Sequence, residues 1–124
     1  NGHHTISHDK VTGHWEEWGR LDRWYAQQFS YFIDKMKKTK DIHGSLLDNT
    51  LILYGSSQST NHNARNCPLI LAGGTNFGVK HGVFRKFEEK EERLSNLYVS
   101  MLNRIDVKTE NFSDSTGKLS TSIL

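Results

Sequence analysis

The sequence has little cysteine, proline or net charge, and it has no long apolar run. A single cysteine among 124 residues excludes an intramolecular disulfide framework. Sixteen basic and fourteen acidic residues leave a formal charge of +2, which is too small for the broad positive surface of a nucleic-acid-binding domain. No segment approaches the roughly 18 apolar residues of a membrane span, and none resembles a signal peptide. We therefore expect neither a nucleic-acid partner nor a transmembrane helix.

Length and hydrophobicity indicate one domain with a small core. The 124 residues fit a single domain, and hydrophobic residues make up 35% of them. This apolar share is slightly low for a globular domain, even with glycine added. The chain begins at Asn1, as an internal fragment or a processed protein would. We expect residues 1–124 to be a piece of a larger domain, with exposed apolar surface where missing strands would dock.

Apolar spacing predicts two main helices. Residues 1–14 lack any apolar period and are predicted to form a loop. From Trp15 to Lys40 apolar residues recur at three- and four-residue steps, with acidic residues first and lysines last, as the helix dipole favours. A second amphipathic pattern runs from Leu94 to Ile105.

Two short apolar runs between these helices predict strands. Residues 50–54 and 68–72 are apolar on both faces, which is typical of a covered and parallel sheet. Residues 83–87 alternate weakly and could form an edge strand. The order of helix, strand, loop, strand and helix predicts an α/β fold. Two or three strands cannot close such a sheet alone.

Histidines in two polar segments are candidate metal ligands. His4 and His8 are four residues apart, which on a helix would place both rings on one face, although a loop would constrain them much less. Asp9 follows them. His62 lies in the polar segment after the first apolar run, where α/β sheets bind ligands. Imidazole and carboxylate groups bind Zn²⁺, Mn²⁺ or Fe²⁺. The alternatives are a histidine-rich surface loop for the first segment and a solvated or turn-capping side chain for His62.

The remaining histidines and the tryptophans have simpler interpretations. We interpret His14, His43 and His81 as surface or helix-end residues. Trp15, Trp18 and Trp24 are core or interface anchors, and three tryptophans on one helix favour an interface. The partner would be a second copy of the chain or another protein.

Four blocks of sequence resemble one bacterial family. The block HTISHD, at residues 4–9, is similar to the motif that names the HXXSHH family of unknown function, except that Asp9 stands where the last histidine is expected. Further similar blocks are LDNTLILYGS at 47–56, NH at 61–62 leading into PLILAGG at 68–74, and LSNLYVSML at 94–102 followed by DSTG at 114–117. The resemblance covers nearly the whole chain and implies that the amino-terminal portion of the family is missing.

That family in turn resembles a distant branch of the alkaline phosphatase and sulfatase fold. The resemblance implies a partial three-layer α/β sandwich, export to the periplasm or the cell exterior, and a divalent metal such as Zn²⁺, Mn²⁺ or Ca²⁺. It matches His62 to a metal-binding histidine that precedes a strand, and it implies that the block with His4, His8 and Asp9 supplies other ligands. The segment 56–58 reads Ser-Ser-Gln where an acid–histidine pair is expected, and none of these is a good ligand.

Two hypotheses follow from these patterns. In the first, His4, His8, Asp9 and His62 converge on one metal that promotes hydrolysis of a phosphate or sulfate ester. In the second, the same fold is a non-catalytic exported module for binding or assembly. The second is motivated by the Ser-Ser-Gln segment and by the tryptophan-rich helix.

Overall fold

The chain combines helices with two short antiparallel sheets. A computed structural model describes residues 2–8, 15–59, 62–88 and 92–120. In chain order the elements are α1 (His3–His8), α2 (Trp15–Lys38), β1 (Lys40–Asp41), β2 (Gly44–Ser45), β3 (Leu51–Gly55), β4 (Leu69–Gly73), a 3₁₀ turn (Thr75–Phe77) and α3 (Leu94–Arg104). The broad expectation of a mixed helix and strand fold is confirmed.

The long helix α2 follows its apolar stripe. It ends two residues before the predicted Lys40, and Glu16 and Glu17 stand in its first turn with lysines in its last. Just past its middle, the Phe29 ring stacks on Tyr54 of β3, with ring centroids 4.2 Å apart. No described residue of α2 is fully buried. None of the helices in the described ranges is long and apolar enough to cross a bilayer.

The predicted amino-terminal loop is partly a helix. Residues 3–8 form α1, where the Ser7 hydroxyl donates a hydrogen bond to the His4 carbonyl over 2.8 Å. The His3 ring meets the edge of Tyr25 on α2, with centroids 5.7 Å apart. The loop prediction was wrong here because six mostly polar residues are too few to show an apolar period, whereas packing on α2 stabilises the helix.

The predicted parallel sheet is antiparallel. Strands β3 and β4 pair with Leu51 opposite Gly73 and Gly55 opposite Leu69. Parallel neighbours need a crossover of a dozen or more residues, usually a helix, whereas the described residues between these strands contain none. The chain therefore turns back on itself as a long-looped hairpin. Residues 83–87 form no strand, so the predicted edge strand was also wrong.

Asp48 joins the turn before β3 to the segment after β4. Its carboxylate accepts hydrogen bonds from the Ser45 hydroxyl over 2.6 Å and from the Thr75 hydroxyl over 2.6 Å. The Asp48 carbonyl also accepts the backbone N–H of Asn76 over 3.0 Å. These hydrogen bonds, led by those from the Ser45 and Thr75 hydroxyls, hold the pKa of Asp48 below its usual value. The hairpin is thereby fixed at the end opposite the loop that contains His62.

The core is small and is rich in polar groups. Among the described residues, Val79 and Val99 are the buried hydrophobic ones. The buried polar side chains of α3 bind the carboxyl-terminal segment: the Asn96 carboxamide accepts the Thr116 N–H over 2.8 Å, and the Ser100 hydroxyl accepts the Leu119 N–H over 2.8 Å. Side-chain hydrogen bonds, more than apolar burial, therefore hold this segment on α3.

Candidate metal centre

Three histidines from two distant segments converge at the surface. His4 and His8 lie on α1, and His62 lies in the loop between β3 and β4. One nitrogen from each ring can be chosen so that the three atoms lie within 4.8 Å of one another. Ring centroids are 4.6 Å apart for His4 and His8, 4.7 Å for His8 and His62, and 5.9 Å for His4 and His62. The three rings thus form a single cluster.

Local backbone structure explains the position of each ring. Because α1 is helical, the four-residue spacing of His4 and His8 places them on one face. His62 has a φ of +62°, in the left-handed region that non-glycine residues seldom adopt. Around it, the Ser59 N–H donates to the Asn63 carbonyl over 2.7 Å. This bond closes the turn from which the His62 ring projects.

A glutamine contacts the His62 ring at its Nδ1 atom. The Gln58 Oε1 atom lies 3.1 Å from His62 Nδ1. The backbone of Gln58 is bound to Ser56, whose hydroxyl accepts the Gln58 N–H over 3.2 Å and donates to the Gln58 carbonyl. The Ser-Ser-Gln segment at 56–58, which lacks the expected acid–histidine pair, therefore contacts the candidate metal ligand His62 through Gln58.

The donor set fits a small transition-metal ion. Ligand nitrogens in a tetrahedral zinc site stand about 3.3 Å apart, given Zn–N bonds of about 2.0–2.1 Å. The observed separations are larger, at up to 4.8 Å, so the three exposed rings would have to shift for all of them to bind one ion. His4, Thr5, His8 and His62 line an open cavity of about 580 Å³. An ion bound by these three histidines would have a coordination position open on the exposed side.

Other candidate residues lie elsewhere or outside the described ranges. Asp9 and His14 fall among residues that the structure does not describe. His43 is exposed in the turn between β1 and β2. The His81 Nε2 atom lies 2.8 Å from the Gly73 carbonyl, so its ring is held against β4. Sequence reasoning did not single out Gln58 as a neighbour of the cluster, since a lone glutamine in a polar loop carries no signal.

Aromatic side chains are prominent on α2. The rings of Trp15 and Trp18 are stacked with centroids 5.9 Å apart, and Trp24 meets the edge of Tyr25 at 5.1 Å. Trp15 is 60% exposed and Trp24 is 51% exposed. Side chains of this size at the surface are typical of interaction sites.

In comparisons with known proteins, no family model, curated protein or solved structure matches the chain. The candidate centre therefore stands on its geometry and donor chemistry.

Proposed function

We propose that the protein binds one divalent transition-metal ion through His4, His8 and His62, and that the ion promotes hydrolysis of a phosphate or sulfate ester. The observation that carries the proposal is the convergence of three imidazoles to within 4.8 Å of one another. Asp9 follows His8 directly in the sequence, and the proposal includes it as a further ligand. The proposal also retains the partial three-layer sandwich of a larger exported phosphatase-like protein, which rests on sequence resemblance alone.

The donor set favours Zn²⁺ over the other ions considered. Calcium prefers six to eight oxygen ligands, whereas imidazole nitrogens suit zinc and its neighbours in the first transition row. Manganese prefers oxygen donors too and binds more weakly than zinc to the same nitrogens. Zinc is therefore the first ion to test.

The open side of the cluster supports a hydrolytic function. Zinc bound by the three histidines, with Asp9 as a further ligand, would keep a position for water, since zinc sites can expand to five ligands, and would lower the pKa of that water to about 7. The ion would thereby supply a nucleophile for hydrolysis of the ester, and the leaving alkoxide would take up the proton that the water releases. In this scheme the histidines hold the ion in place, and the open cavity admits the ester.

Metal content and ester hydrolysis test the proposal together. The chain is purified without chelator, and its metals are measured by mass spectrometry beside His8→Ala and His62→Ala. His43→Ala is the matched control, because it removes an exposed imidazole that lies in the turn between β1 and β2, outside the cluster. We expect about one zinc per wild-type and His43→Ala chain, with much less in the other two variants. Zinc-dependent hydrolysis of nitrophenyl phosphate or sulfate should follow the same pattern.

Two results would refute this function. A wild-type chain that stays free of metal after incubation with Zn²⁺ and Mn²⁺ would refute the centre itself. Stoichiometric zinc without hydrolysis of either ester would retain the centre and refute the reaction.

The exposed aromatic residues of α2 favour a second candidate function. In this alternative the chain is a binding or assembly module, and α2 contacts a protein partner or a second copy through Trp15 and Trp24. Light scattering after size-exclusion chromatography tests self-association, with Trp24→Ala expected to shift an oligomer towards monomer. A wild-type chain that is monomeric at every concentration, and with which no partner copurifies, would refute it.

A further inference from the structure

We propose that Gln58 is a positioning residue of the histidine cluster, whose Oε1 accepts the Nδ1–H of His62 and so leaves Nε2 as the metal-binding atom. The inference rests on the proposed metal-binding function. It is carried by the 3.1 Å separation of Gln58 Oε1 and His62 Nδ1.

In a neutral imidazole, this contact decides which ring nitrogen of His62 has the lone pair that can bind a metal. One ring nitrogen carries a hydrogen and the other carries a lone pair, and only the lone pair can bind a metal. A carbonyl oxygen has no hydrogen to donate, so its contact with Nδ1 requires the hydrogen to be there. Histidines that bind metals generally donate their second N–H to an acceptor in this way, which fixes both tautomer and ring orientation.

The backbone of Gln58 is held in place before any ion arrives. Its N–H donates to the Ser56 hydroxyl over 3.2 Å, and its carbonyl accepts that hydroxyl's hydrogen. His62 itself projects from a turn closed by the bond from Ser59 to Asn63. Both partners of the Gln58–His62 contact therefore lie on locally constrained backbone, although both side chains are exposed.

The opposite orientation of the amide would have the opposite effect. If the Gln58 NH₂ group faced Nδ1, it would donate to the lone pair there, and the ring hydrogen would occupy Nε2. Glutamate cannot donate when ionised. The Gln58→Glu variant consequently preserves the proposed hydrogen bond and abolishes the opposite one.

The test uses two measurements on the full chain. The first is the tautomer of His62 in metal-free protein, read from long-range ¹H–¹⁵N correlations at about pH 8.5, where an unperturbed imidazole is neutral. The second is zinc affinity, measured by competition with a chromophoric chelator. The variants are Gln58→Leu and Gln58→Glu. Gln27→Leu, which replaces an exposed glutamine of α2, is the matched control, and circular dichroism confirms that each variant folds.

We expect the hydrogen on Nδ1 in the wild type and in Gln58→Glu, with a larger Nε2–H population in Gln58→Leu. Zinc affinity should fall about 10- to 100-fold in Gln58→Leu, stay equal or rise in Gln58→Glu, and be unchanged in Gln27→Leu. If Gln58→Leu kept both the zinc affinity and the His62 tautomer of the wild type, the inference would be overturned and the metal-binding function would stand. Loss of zinc in Gln58→Glu would also overturn it. A wild-type chain that binds no zinc would overturn the function and the inference together, even with Nδ1 protonated.

Discussion

Zinc should stabilise the fold, because the proposed ligands join two segments that are far apart in the sequence. His4 and His8 are on α1, and His62 is in the loop between β3 and β4. Bringing such ligands together in the unfolded chain closes a loop of about 55 residues, which costs about 4 kcal/mol of chain entropy. This cost weakens three-ligand binding to the unfolded chain about a thousandfold, since about 1.4 kcal/mol corresponds to a factor of ten. A zinc ion bound by all three histidines would therefore bind mainly to the folded protein.

The size of the stabilisation follows from mass action. Free zinc at about 100 times its dissociation constant adds about 2.7 kcal/mol to the free energy of unfolding. Unfolding entropy of about 2.1 cal/mol/K per residue gives about 0.26 kcal/mol/K for a chain of this length. The midpoint of thermal unfolding should consequently rise by about 10 °C under these conditions.

Thermal unfolding followed by circular dichroism, with and without zinc, measures this rise. His62→Ala leaves only His4 and His8 on a single helix, so zinc no longer connects the two segments and the rise should nearly vanish. His43→Ala should keep the full rise, because this exposed histidine lies in the turn between β1 and β2, outside the cluster. An equal rise in the wild type and in His62→Ala would refute the reasoning, since zinc would then be bound elsewhere.

Two further predictions concern the hairpin and its turn. Gly73→Ala should destabilise the fold by about 1–3 kcal/mol or more in urea unfolding, since φ is +74° and a Cβ would lie 2.2 Å from the Thr50 carbonyl oxygen. The control is Gly19→Ala, where a Cβ meets nothing within 4 Å, and it should instead stabilise α2 by up to about 1 kcal/mol. Equal changes in stability for the two variants would contradict the role assigned to Gly73. Because hydrogen bonds, led by that from the Ser45 hydroxyl, lower the pKa of Asp48 from 3.8, its ionised form stabilises the fold above that pH, and the contribution is lost as pH falls through the lowered value. The stability difference between wild type and Asp48→Asn should therefore shrink below about pH 4, and a difference that grows on acidification would show the sign to be wrong.

The sequence predicts the helices better than the sheet. The apolar stripe of α2 and the pattern of α3 locate both helices to within two residues at each end. Strand direction was predicted wrongly because a run that is apolar on both faces is compatible with either direction. Direction is decided by the connection, and the polar segment after β3 contains no periodic signal that distinguishes a turn from a crossover.

The histidine cluster was predictable in its members and not in its geometry. Spacing singled out His4 and His8, and resemblance singled out His62; the hypothesis that they converge rested on that resemblance, because spacing alone does not relate residues 8 and 62. That proximity depends on α1 packing against α2 and on the turn at His62. Gln58 was missed because its contact depends on the local backbone of one loop.

Exposure of the cluster limits catalysis more than it limits metal binding. All three imidazoles are exposed, so a bound ion would remain in a medium of high effective dielectric constant, where charge stabilisation is weaker than in a closed site. Efficient ester hydrolysis also requires donors aimed at the developing charge, and Thr5 is the one further residue that lines the cavity among the described residues. We therefore expect zinc-dependent ester hydrolysis by this chain alone to be slow but measurable. A covering surface from a partner would exclude water and strengthen the same electrostatic interactions, and the exposed aromatic residues of α2 are suited to bind one.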